Sequence, residues 1–115
     1  MLPAWILALL IGGALVVAYW DEIVDWATKF FNAFKEWFAA HYPRLNHYVK
    51  VFIEKLKGDH ATIKCNSYYQ EGENWFTQEG VTQIPASEVP ADILAQAKAT
   101  KDKADITLPM LGRTM

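Results

Sequence analysis

Residues 2–20 of this chain read LPAWILALLIGGALVVAYW, 19 residues without a charged side chain. Wound as a helix at about 1.5 Å per residue, the run extends roughly 28 Å, close to the hydrocarbon thickness of a bilayer, about 30 Å. Inside lipid the backbone must satisfy its own polar groups, so a lone span takes the form of a helix. Trp5 lies near one end, and Tyr19 with Trp20 marks the other, the placement of an aromatic belt. Pro3 falls in the first turn, where its missing N–H costs little. The stretch therefore predicts a single-pass transmembrane helix over residues 1–20. A cleaved signal peptide fits less well, because no Lys or Arg precedes the apolar run.

Within this segment Ala4, Ala8 and Gly12 recur every fourth residue. Small residues on one helix face let backbones approach closely, so these three are the candidate contacts for self-association in the membrane. Lys29 and Lys35 follow the span and no basic side chain precedes it, which points the C-terminus towards the cytoplasm. The single cysteine, Cys65, cannot close an intramolecular disulfide, which agrees with a reducing compartment.

The remainder of the chain holds every one of its charges. Across all 115 residues the composition is 52% hydrophobic and 21% charged, with a formal net charge of -2. That balance lacks the basic footprint of a nucleic-acid binder, and no nucleic-acid partner is expected. From Asp21 to His41 the polar residues Asp21, Asp25, Thr28, Lys29, Asn32, Lys35 and Glu36 fall three or four apart and form one stripe. The other side is broad and aromatic, with Trp26, Phe30, Phe34 and Trp37 as its candidate interfacial or inter-subunit residues. So wide an apolar sector suits a membrane surface, or a helix that continues the span into an oligomeric bundle. Neither Gly nor Pro interrupts residues 18–22, and a continuous helix from 3 to 41 is the preferred reading.

Pro43 supplies the first break, since a proline disfavours helical angles in the residue before it. Leu45, Tyr48, Val49, Phe52 and Leu56 then match a helical face and predict a second helix over 44–57, closed by Gly58. Residues 58–109 read as a small module. Alternation over Ala61–Tyr69 puts Ile63, Cys65 and Tyr69 on one strand face, a polar turn spans Gln70–Asn74, and Trp75–Ile84 is a second strand with Gly80 a possible bulge. A short helix over Pro90–Lys98, with Ser87 a candidate cap, and an edge strand at Asp105–Leu108 complete it. Residues 110–115 read as a flexible tail. The expected fold class is thus a single-pass membrane helix continuing into a long aromatic amphipathic helix, then a small α+β module of helix, β-hairpin and short helix.

No motif carries catalysis. His41, His47 and His60 do not share metal-ligand spacing, and Cys65 lacks an adjacent base. Glu71, Glu73 and Glu79 surround a turn and read as solubilising charges. No phosphate loop, H-E-x-x-H, paired cysteine or G-x-S-x-G element is present. Neither cofactor nor metal is expected, and the chain reads as a non-enzyme. The expected role is that of a membrane protein working by oligomerisation or as an accessory subunit in a larger membrane complex. Its C-terminal module would present Tyr68 and Trp75 to a protein partner. A membrane-perturbing or pore-forming effector and a membrane-anchored structural protein of a lipid-containing particle are the alternative expectations.

Overall fold

Tyr19 interrupts the helical run: its backbone is extended, with φ -130° and ψ 147°, and a helix begins at Trp20. The computed structural model describes residues 2–12, 18–100 and 103–111. A first helix, α1, spans Ala4–Gly12, and a second, α2, spans Trp20–His41. The continuous helix expected over 3–41 is not formed. The Trp26 indole N–H donates to the Leu9 carbonyl at 2.8 Å, a contact impossible between residues 17 apart in one straight helix. Among the described residues no helix is long and apolar enough to cross a membrane. Residues 13–17, in the second half of the expected span, lie outside them.

α2 forms as its amphipathic pattern predicts. Ile23, Ala27, Phe30, Phe31, Phe34 and Phe38 are buried, while Asp25 and Lys29 pair on the exposed side at 2.9 Å. Its last carbonyls are capped in part by the Tyr42 N–H, which donates to Phe38 O at 2.8 Å.

The segment expected as a helix over 44–57 is instead strand β1, His47–Lys57. Two periodicities coincide in this stretch. Besides the helical spacing, Val49, Val51 and Ile53 alternate with Tyr48, Lys50, Phe52 and Glu54, and the β-branched members favour a pleated sheet. Val49, Val51 and Ile53 are fully buried. Gly58, with φ 57°, sits in the turn to strand β2, His60–Glu71, rather than closing a helix. Gly72, with φ 65°, turns β2 into strand β3, Asn74–Pro85, within the turn the sequence predicts. A short strand β4, Lys103–Asp105, pairs with β1, giving an antiparallel sheet in the order β3-β2-β1-β4. The molecule is an α+β fold of helices and a four-stranded antiparallel sheet.

The register divides the sheet into two faces. Cross-strand partners Val51↔Cys65 and Cys65↔Gly80 line the inner face, and Tyr48↔Tyr68 and Lys50↔Asn66 line the outer. The helices supply their buried side chains to the inner face. Phe34 and Phe38 pack on His47 at 5.9 and 4.6 Å, and Phe38 meets Tyr69 at 5.5 Å. The β2–β3 register runs unbroken, so Gly80 is not a bulge. It is a close-approach site: a Cβ placed there would lie 2.7 Å from a Leu10 methyl and 3.0 Å from the Trp26 ring.

Beyond the hairpins, a 3-10 turn at Ala86–Glu88 leads to helix α3, Ala91–Ala99, which turns Ile93 and Ala97 into the core. Ser87 lies in that turn and caps nothing; Pro90 takes the N-cap position without a side-chain bond. The expected edge strand at 105–108 ends at Asp105. Thr107–Leu111 form a short helix, α4, so Met110 and Leu111 are not tail, and Met110 is buried. Residues 112–115 lie outside the described chain.

Thr107 shows why the chain folds here. Its hydroxyl accepts the Val51 backbone N–H at 3.0 Å and donates to the Asp105 carboxylate, while the Ile106 N–H donates to Val51 O at 2.8 Å. These bonds extend the pairing of β1 past the end of β4, so that Val51 is not a buried orphan. Replacing the hydroxyl by a methyl in Thr107→Val leaves that N–H unpaired, and the expected loss of stability is about 1–3 kcal/mol, read from urea unfolding.

Candidate functional site

The outer face of the sheet is the most distinctive surface of the molecule. Pleating sends Tyr48, Lys50, Phe52 and Glu54 of β1 outward, beside Lys64, Asn66 and Tyr68 of β2 and Trp75 and Glu79 of β3. None of the aromatic side chains among them belongs to the hydrophobic core. One end of the face is aromatic. The Tyr48 ring stacks on Tyr68 at 4.6 Å and meets Trp75 at 5.7 Å, and Trp75 remains 49% exposed. Two of these three, Tyr68 and Trp75, are the partner-binding residues expected from sequence. Tyr48 escaped that reading because it sat in a presumed helix; the alternation over 48–54 is the signal that would have found it.

The other end is ionic. Lys64 lies 2.8 Å from Glu54 and 3.8 Å from Glu79, Lys103 lies 3.6 Å from Glu54, and Lys50 reaches Asp105 at 4.0 Å. Lys103 also stands over the Phe52 ring at 4.7 Å. Each of these three lysines is thus matched by a carboxylate, so this end of the face offers no surplus positive charge among its described residues. Between the two ends Asn66 is buried; its amide donates to the Tyr68 hydroxyl at 3.2 Å, and its Oδ1 has no hydrogen-bond partner among the described residues.

Glu54 is the electrostatic centre. The hydrogen bond from Lys64 holds its carboxyl below the usual value, against the opposing effect of burial, and Lys103 adds to the lowering. The same bond raises the Lys64 ammonium above its usual value.

The other expected site residues are placed differently. Phe30 and Phe34 are fully buried within the chain's own core, with their rings stacked at 5.7 Å. The reason is the sheet: with β1 and β4 added to the hairpin, α2 has an apolar face to cover. Trp26 is half-buried and bonded to Leu9, and Trp37 packs between Phe38 at 5.1 Å and His41 at 4.8 Å. Much of the broad aromatic face of α2 is occupied in this way. Ala4 and Ala8 are exposed on α1, and Gly12 is its last residue.

The candidate reactive groups have structural places. Burial pushes the Cys65 thiol up to about 12, which leaves it protonated and inert. His47 Nδ1 lies 2.6 Å from Leu45 O, which can only accept, so Nδ1 carries the proton and Nε2 faces Lys35 at 3.3 Å. Among the described residues no three His, Cys, Asp or Glu side chains could hold a metal ion.

No protein-family model matches the chain, and no curated protein or solved structure matches it significantly. The site therefore stands on its own geometry.

The lowered carboxyl of Glu54 makes a signed prediction. The unfolded chain takes up the proton more readily, so the stabilisation is present at neutral pH and is lost as pH falls through the carboxylate range, at about 4 and below. Glu54→Gln is expected to cost about 1 kcal/mol at neutral pH. Its unfolding midpoint in urea should converge on that of the unaltered chain at about pH 3.

Proposed function

We propose that this chain is a small membrane-attached accessory protein that works by binding, holding a protein partner on the outer face of its sheet. The observation that carries this reading is the Tyr48–Tyr68–Trp75 cluster, three aromatic side chains assembled on a face that the core does not use. Tyrosine and tryptophan dominate binding hot spots because each brings large apolar area together with a polar tip. The ionic end beside them supplies register and a polar rim, as the periphery of an interface does. Strand β3 lies at the sheet edge, and its exposed half, from Asn74 to Glu79, can add a strand from a partner.

Membrane attachment rests on the charge-free segment 2–20, which in lipid would form the single span, with the C-terminal module on the cytoplasmic side. The exposed Ala4–Ala8 pair supports packing of that span against a second copy or a larger membrane complex. Binding without catalysis is favoured by the inert setting of Cys65 and by the structural contacts of His47.

The test is a photo-crosslinking amino acid placed at Thr77, exposed on the outer face, and at Ala95, exposed on α3, in the full-length protein in its own membranes. A discrete protein adduct is expected from position 77 and none from 95. Trp75→Ala should weaken that adduct at least about tenfold, the scale of a hot-spot residue, without changing the fold. Equal labelling from both positions, or an adduct insensitive to Trp75→Ala, would sink the assignment.

A further inference from the structure

α1 is held on the rest of the fold by a small set of side chains. α2 buries six side chains in the core, whereas the buried side chains of α1 among the described residues are Ile6 and Leu10, with Leu9, and Leu2 just before the helix, packed partly against it. The Trp26–Leu9 hydrogen bond adds a single polar tie. The tie falls on one of the last four carbonyls of α1, which have no partner within the helix. The seat itself depends on Gly80, whose missing side chain makes room for Leu10. On its remaining surface α1 is still apolar, with Trp5 57% exposed and Ala4 and Ala8 open. A helix apolar all round is incompletely satisfied on a seat that covers one side; hydrocarbon covers every side. The extended backbone at Tyr19 separates it from α2, so α1 can leave while the phenylalanines of α2 stay on the sheet.

We infer that the Gly80 seat is the resting position of a lipid-inserting segment: α1 exchanges between its own sheet and a bilayer. The inference rests on the membrane attachment proposed above and adds its regulation. The two positions are mutually exclusive, because Leu10 cannot lie both against Gly80 of β3 and in hydrocarbon. Occupancy of the seat therefore competes directly with lipid binding, and a change that fills the seat must favour the bilayer. The partner is the hydrocarbon of the membrane rather than its headgroups, since residues 2–20 carry no charge to pair with them.

The experiment is flotation of the full-length protein with phosphatidylcholine vesicles. Gly80→Leu fills the seat and is expected to raise the partition coefficient at least about tenfold. A second variant locks the seat: Leu10→Cys with Gly80→Cys, in a Cys65→Ala background. The two Cβ positions lie 3.1 Å apart and need a few tenths of an ångström to reach disulfide spacing. The oxidised form should lose vesicle binding, and reduction of the same sample should restore it. Equal flotation of the oxidised and reduced forms overturns the exchange while leaving membrane attachment standing. If the unaltered chain, the reduced double variant and Gly80→Leu all fail to float, the attachment itself falls, and the exchange with it.

Discussion

Phe30, Phe34 and Phe38 form a ridge along α2, with neighbouring rings 5.7 and 4.8 Å apart, and the sheet is built to receive it. Residues spaced by four lie one above another on a helix, so a single stripe meets the inner face along its length. His47 and Tyr69, from adjacent strands, complete the contact. Full burial of each phenylalanine is worth about 1.5–3 kcal/mol, and few other elements of so short a chain contribute as much. Because the ridge occupies one face of the sheet, the other is released from the core. The outer aromatic cluster exists as a surface for that reason.

The same ridge explains which expectations failed. Reading 44–57 as a helix removed the central strand of the sheet and left a hairpin, a short helix and an edge strand with no strand to join them, too little apolar surface to cover the aromatic side of α2. Lipid or another subunit then became the natural cover for Phe30 and Phe34. Once Val49, Val51 and Ile53 are placed on β1, with β4 extending the sheet, the cover is found within the chain. The stripe of α2 and the β2–β3 hairpin were legible because each follows one period only. β1 was not, because its residues satisfy the helical and the strand period together, and only pairing with β2 decides between them. Short-range pattern likewise marked Gly80 as special but not why: the cause is Leu10, 70 positions away in the chain. For the candidate site, Tyr68 and Trp75 could be singled out from the hairpin alone. Tyr48 joins them only through the β1–β2 register.

The charges of the outer face are arranged to be neutral in sum and local in effect. Glu54 sits between Lys64 and Lys103 with its side chain only 14% exposed, so solvent screens it less than the other carboxylates. Pairs of this kind fix side-chain positions more than they add stability. A face with matched charges attracts no polyanion over distance, and its selectivity lies in the shape of the aromatic end and in the placement of Lys64, Glu54 and Glu79.

Strand β3 links the two surfaces to which function is assigned. Glu79 and Gly80 are consecutive, yet pleating turns one to the outer face and the other to the seat of Leu10. Trp75 stands five residues before that seat on the same strand, in its exposed half. Departure of α1 would remove Leu10 from Gly80 and leave Trp26 of α2 as the neighbour of that position on the inner side. The ladder to β2 would remain, through an unbroken register from His60↔Pro85 to Glu71↔Asn74. Any coupling between lipid insertion and partner binding must therefore pass through an edge strand tethered on one side only. A two-state element biased from both faces is the physical requirement for such coupling. In this fold β3 is the strand that touches both.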